Sequence, residues 1–161
     1  MTLRHVLVAM DFGDAAMAAL DVARDCARSA GATIHLVHVV DDVLSRRRVI
    51  DGPPPDFGRL QTELEDDARQ KLTTVADELN ADGVSARAAI VTSPRPAAAL
   101  LDYARDAKVD LIVAGTHGRS GFADLFMGSV AQQLVRTAHC PVLTVRQPAV
   151  QHPVAVLAGR A

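Results

Sequence analysis

Short apolar runs alternate with longer amphipathic stretches along almost the whole chain, and this alternation constrains the fold more than any other feature. Residues 5–10 (HVLVAM) form a continuous apolar run ending at Asp11, the pattern of a strand covered on both faces. Over residues 14–30, Ala16, Leu20, Ala23 and Ala27 recur at helical spacing, and Gly31 supplies the stop. Residues 33–40 (TIHLVHVV) read as a second strand. A helix is expected over 59–82, with Glu63, Glu65, Asp66, Asp67, Asp77 and Glu78 on a solvated outer face. Residues 85–91 read as a third strand, and Pro96 opens a helix to about Lys108, a position that proline favours. A fourth strand (110–114), a fourth helix (129–138) and a last strand after Pro141 (Val142 to Val145) complete the series.

This series predicts an α/β fold: an open five-stranded parallel sheet with helices on both faces. Right-handed crossovers leave few topologies, and the Rossmann-like order 3-2-1-4-5 sets the first and fourth strands side by side where the winding reverses. Ligands of such sheets bind beyond the carboxyl ends of the strands at that point. Asp11 follows the first strand and Gly115 the fourth, so both belong at the expected crevice. A chain of 161 residues has room for one domain, assigned to residues 1–147, with 148–161 as a C-terminal tail. Residues 41–58, holding Arg46-Arg47-Arg48 and Gly52-Pro53-Pro54-Pro55, read as a long connection of the kind that forms lids.

Composition excludes several functions. With four Phe, one Tyr and no Trp, the chain lacks a stacking platform for single-stranded nucleic acid. Its 17 basic residues face 19 acidic ones, so a basic nucleic-acid footprint is also missing. No apolar run approaches the roughly 20 residues that cross a bilayer. The N-terminus reads as a strand in place of a signal peptide, so the expected location is the cytoplasm. Cys26 and Cys140 match no zinc or redox spacing and read as small apolar residues. His35 and His38 lie three apart on a strand and point to opposite faces, so they cannot share a metal.

The segment from Gly115 to Ser129 (GTHGRSGFADLFMGS) carries the chemistry. Gly115 and Gly118 leave a strand end without side chains, where backbone can turn and a ligand can approach. Gly128-Ser129 then opens a helix, whose first amides and roughly +0.5 of a charge favour phosphate. The Ser129 hydroxyl can cap that helix or donate to a phosphate oxygen. Arg119 is a charge-assisted donor suited to phosphate. Asp11 can either cap the first helix or accept from ribose hydroxyls or an adenine amine. The Walker lysine pattern is missing, and so is G-x-G-x-x-G after the first strand.

The spacing instead fits G-x2-G-x9-G-[ST] over Gly115, Gly118, Gly128 and Ser129. With the Asp11 strand end, the His-Val closing the second strand, DLIVAGTHGRSG, MGSVA and CPVLTV, the chain resembles the universal stress protein family over roughly residues 2–146, in its ATP-binding subgroup. That resemblance implies that Asp11, with the Ala9 backbone, and Val39 hold adenosine. It implies ribose and phosphate contacts from Gly115, His117, Gly118 and Arg119, and outer-phosphate contacts from Gly128, Ser129, Val130 and Ala131. Two departures stand out: Gly13 replaces a hydroxyl residue common in the family, with Asp14 as a substitute cap, and Ser93-Pro94-Arg95 precedes the third helix where a glycine is usual.

The implied function is an ATP-binding regulatory or stress-response factor, with ADP or AMP as other adenylate ligands. Mg²⁺ or Mn²⁺ would bridge the phosphates, since no protein cage is evident. An alternative is a slow ATPase or adenylate-processing enzyme of a related fold, although no general base is evident. The last strand, Val142 to Val145, is an apolar sheet edge that invites pairing, and the resemblance likewise implies a homodimer there.

Overall fold

A computed structural model of the chain describes residues 2–43, 45, 56–116 and 127–146. Nine elements follow in order: β1 (His5–Ala9), α1 (Asp14–Ala30), β2 (Thr33–Val40), α2 (Phe57–Ala81), β3 (Ala86–Thr92), α3 (Pro96–Asp106), β4 (Leu111–Gly115), α4 (Ser129–Thr137) and β5 (Val142–Val145). The strands form one parallel sheet in the order β3-β2-β1-β4-β5, as the alternation predicts. Register is continuous across the centre, with Val8 of β1 opposite Leu36 of β2 and Val113 of β4.

Each strand sends alternate side chains to two cores, which explains the unbroken apolar runs. Val6, Val8, Ile34, Leu36 and Val113 pack under α1 and α2, with Leu20, Ala23, Leu72 and Leu79 facing them. Leu7, Val37, Ile112 and Ala114 pack under α3 and α4, against Leu100, Leu101, Ala104 and Leu134. The buried face of α1 includes Ala15, Ala16, Ala19, Ala23 and Ala27, small residues that bring its backbone close to the sheet. Gly31 ends α1 in the left-handed conformation at φ 65°, and its N–H donates to the Ala27 carbonyl.

Boundaries move by one or two residues at several ends. The largest revision is α2, which starts at Phe57, two residues before the apolar period begins. The Asp56 carboxylate caps it by accepting from the Arg59 N–H at 3.0 Å, and this draws Gly58 into the first turn. At α1 the N-cap is Gly13 and makes no side-chain bond. Asp14 is therefore not the substitute cap; it lies inside the first turn, where its charge suits the helix dipole.

The amino ends of the strands carry a polar cluster that leaves the ligand end free. The Asp110 carboxylate accepts from the Arg4 and His5 N–H groups at 2.8 and 2.9 Å, which holds its pKa below the ordinary range. His35 is fully buried beside it in the fold, within reach of His5, Arg87 and Tyr103. A guanidinium can only donate, so His35 Nε2 accepts from Arg87 Nη2 at 2.7 Å. Arg87 Nε also donates to His35 Nδ1 at 3.3 Å, and the Tyr103 hydroxyl lies 3.1 Å from the same nitrogen. Burial first, then the charge of Arg87 and of His5, push the His35 pKa down from 6.5 to about 4.

Because folding lowers this pKa, the folded state binds fewer protons than the unfolded chain. The contribution is fully present above pH 6.5 and is lost as pH falls toward 4, on the order of 2–3 kcal/mol in all. Glu65 and Asp110, whose pKa values are also lowered, lose theirs only at more acid pH. His35→Gln is thus expected to flatten the stability profile between pH 6.5 and 4.5 in urea titrations. An unchanged slope in that window would show that His35 does not set it.

Candidate functional site

The carboxyl ends of β1, β2 and β4 open into a crevice of about 230 Å³ on the face covered by α3 and α4. It lies at the switch point between β1 and β4, where the winding reverses. Ala9 and Asp11 line it from the end of β1, and Val39 lines it from β2. Gly115 closes β4 there, while Gly128, Ser129, Val130 and Ala131 reach it from the start of α4. The fold thus gathers residues from four separated segments around one space. His117, Gly118 and Arg119 lie outside the described residues, as do Arg46-Arg47-Arg48, the proline run and the tail.

Main-chain hydrogen bonds set this arrangement. Thr116 N–H donates to the Val145 carbonyl at 2.9 Å, and Gly128 N–H donates to the Thr116 carbonyl at 2.6 Å. The two ends of the glycine segment are therefore tied together, which seats the start of α4 over the end of β4. Gly128 is the N-cap at φ −57° and ψ 146°, with no side-chain cap bond. The capping alternative for Ser129 is accordingly set aside, since Ser129 is the first helical residue. The amides of Ser129, Val130 and Ala131 precede the first intrahelical bond, which Gln132 N–H makes to the Gly128 carbonyl at 2.9 Å.

The crevice combines a carboxylate with helix amino ends. Neither α3 nor α4 has an acidic residue in its first turn, so their amino ends keep the partial positive charge of the helix dipole. The Asp11 carboxylate stands at the β1 side, and its Oδ1 accepts from Gly13 N–H at 2.9 Å. This bond runs to the N-cap residue itself, so Asp11 shapes the turn into α1 as well as facing the crevice. The remaining walls are largely aliphatic, from Val37, Val39, Pro96 and Leu100.

Gly115 has a structural reason that its sequence context does not suggest. A Cβ there would lie 2.7 Å from the Ala15 carbonyl carbon and 2.8 Å from the Ala15 oxygen. The glycine lets α1 press against the end of β4, whatever a ligand then does. Gly13 is constrained more gently, since an added Cβ would meet Asp11 Oδ1 at 3.1 Å.

Pro96, Leu100 and His38 also line the crevice and are not among the residues assigned to ligand contacts from the sequence. Pro96 and Leu100 were legible in principle, because the strand order sets the start of α3 beside the switch point. Phe12 adopts φ 64°, a left-handed conformation costing a side-chain-bearing residue roughly 1–2 kcal/mol. Its ring packs on His38 with centroids 4.9 Å apart. Among the described residues, no group of three or more His, Cys, Asp or Glu could hold a metal ion, and no helix is long and apolar enough to cross a membrane. Cys26 and Cys140 are half-buried and unpaired as thiols, and burial raises the Cys140 pKa.

A doubly wound parallel sheet with a crevice at its switch point defines the chain as a small Rossmann-like α/β protein. The sequence model of the Universal stress protein family matches residues 2–146, and the chain belongs to that family. It is 34% identical over 148 residues to the Thermus aquaticus universal stress protein in the QAH/OAS sulfhydrylase 3′ region, covering 89% of this chain and 98% of that protein. Its fold matches a protein from the universal stress protein family from Burkholderia pseudomallei at a TM-score of 0.70 and 31% identity, over 89% of this chain and 96% of the other. An Archaeoglobus fulgidus universal stress protein solved in complex with dAMP matches at a TM-score of 0.60 and 21% identity, over 90% and 99% of the two chains.

Proposed function

We propose that this universal stress protein binds an adenine nucleotide, ATP in the first instance, and acts as a nucleotide-dependent regulatory factor in the stress response. The observation that carries the reading is one crevice at the switch point that brings together the Asp11 carboxylate, aliphatic walls and the partly positive start of α4. A nucleoside phosphate has the complementary polarity. Asp11 accepts from ribose hydroxyls or the adenine amine, the Ala9 backbone and Val39 flank the base, and the Gly115 backbone borders the sugar. His117, Gly118 and Arg119 complete the ribose and phosphate contacts. The first amides of α4 and the Ser129 hydroxyl receive the outer phosphates, with the small residues Gly128 and Ala131 beside them. The dAMP held by the Archaeoglobus fulgidus relative supports an adenylate as ligand. With no metal-ligating cluster among the described residues, Mg²⁺ or Mn²⁺ would arrive on the phosphates and be held by them.

The test is direct. Purified protein is denatured and its supernatant assayed for adenine nucleotide, and nucleotide-free protein is titrated calorimetrically with ATP and Mg²⁺. The expected dissociation constant is about micromolar, near −8 kcal/mol. No released nucleotide and no heat at about millimolar ATP, where binding of only about −4 kcal/mol would still register, overturns the reading.

The same proposal includes a homodimer built on β5, Val142–Val145. This strand is the outermost of the sheet, and Leu143 on it is 38% exposed. An apolar strand edge with unpaired backbone groups is a template for a second copy of itself. Leu143→Lys is expected to shift sedimentation from dimer to monomer, whereas a wild-type protein that sediments as a monomer overturns the assignment.

A further inference from the structure

The end of β1 reaches Asp11 through a turn that is held from both sides by one side chain. Met10 N–H continues the ladder by donating to the Val37 carbonyl at 2.9 Å. The Met10 carbonyl, a pure acceptor, lies 2.6 Å from His38 Nδ1, so His38 carries a proton on Nδ1 and donates it. On the other side of Asp11, the Phe12 ring rests on the same imidazole, tilted by 41°. Residues 10 and 12, which bracket Asp11, are thus both fastened to His38.

The backbone at Phe12 shows why fastening is needed. A phenylalanine at φ 64° is in a conformation it leaves readily unless its surroundings hold it. Here the ring packs on the core beneath α1 as well as on His38. The left-handed step turns the chain so that the Gly13 amide meets Asp11 Oδ1 at 2.9 Å. Were Phe12 to relax to an ordinary conformation, that hydrogen bond and the direction of the carboxylate would change together.

We propose that His38, with Phe12 stacked on it, is a positioning residue that holds Asp11 for the nucleotide, so that affinity depends on a clamp reaching from β2 to the turn after β1. This rests on the nucleotide reading above. A residue that works through Asp11 has a signature that general support of the fold lacks: its effect on binding disappears once Asp11 is disabled.

The experiment titrates wild-type protein, Asp11→Asn, His38→Ala and the double variant with ATP and Mg²⁺ by calorimetry, with thermal melting in parallel. Each single substitution is expected to weaken binding about 10-fold, the usual scale for one lost hydrogen bond to a charged or bracketed group. The double variant is expected to bind no more weakly than Asp11→Asn alone. A double variant about 100-fold weaker than wild type means that the effects multiply, and the positioning role is overturned. His38→Asn keeps an N–H donor near the Nδ1 position and is expected to bind within about threefold of wild type. A folded His38→Asn that binds as weakly as His38→Ala likewise overturns the role. Should His38→Ala lose the fold, Phe12→Leu, which removes the ring from the bracket, supplies the same non-additive comparison with Asp11→Asn. Wild-type protein that binds no nucleotide overturns the functional reading and the clamp with it, whereas wild-type binding unaffected by these variants overturns the clamp alone.

Discussion

Gly115→Val is expected to abolish the native fold, and Gly115→Ala to lower stability by about 1–3 kcal/mol, the usual range for overpacking. The reason is the backbone of α1, which passes so close that an added Cβ would sit 2.7 Å from the Ala15 carbonyl carbon. A flexible side chain could turn away, but a helix backbone cannot. Relief requires shifting α1, whose buried alanines fill the space over β1 and β4. Native stabilities of about 5–15 kcal/mol leave little reserve for a displaced helix plus the extra branching of valine. Urea titration of the alanine variant measures the effect, and a midpoint equal to that of wild type would show that α1 yields without cost. The result bears on function as well, because lost nucleotide binding by a Gly115 variant would report a lost fold and not a lost contact.

Gly128→Val is expected to do the opposite, weakening nucleotide binding by about 100-fold or more while the fold survives, a loss of at least ~2.7 kcal/mol in binding. The backbone at Gly128 has φ −57° and ψ 146°, which valine adopts without strain. Its N–H, which bonds the Thr116 carbonyl, is retained in the variant. What changes is the crevice, where two methyl groups would stand at the mouth of the α4 amide cluster. Calorimetry with ATP and Mg²⁺ reads the affinity, and a melting curve reads the fold. Undiminished affinity would mean that the start of α4 does not receive the phosphates. A large fall in melting temperature would mean that this glycine, like Gly115, serves packing.

These two glycines also mark how far the sequence could be read. The strand order was legible because unbroken apolar runs and intervening helical periods permit few right-handed arrangements, and that order alone brings Asp11 and Gly115 together. The meeting of Val39 with Gly128 and Ser129 in one crevice follows from the same topology. The purpose of Gly115 was not legible, since no local pattern reports how closely Ala15 approaches from 100 positions earlier. Phe12 escaped for a similar reason: a left-handed phenylalanine has no compositional signal and exists only because tertiary packing holds it. The start of α2 lies before the apolar period because the cap comes from the Asp56 side chain, which no apolar pattern reports.

The polar layout of the crevice has a kinetic consequence. The chain carries a net charge of only −2, so on the proposed reading the attraction for an anion is local, from Arg119 and the peptide dipoles at the start of α4. Such fields fade within a turn of the helix, while salt screens charges over about 8 Å at physiological ionic strength. An approaching nucleotide therefore meets no long-range steering, and its encounter rate should hardly respond to salt. On the proposed reading, discrimination among adenylates falls to residence time, set by how many amides each additional phosphate engages before it leaves.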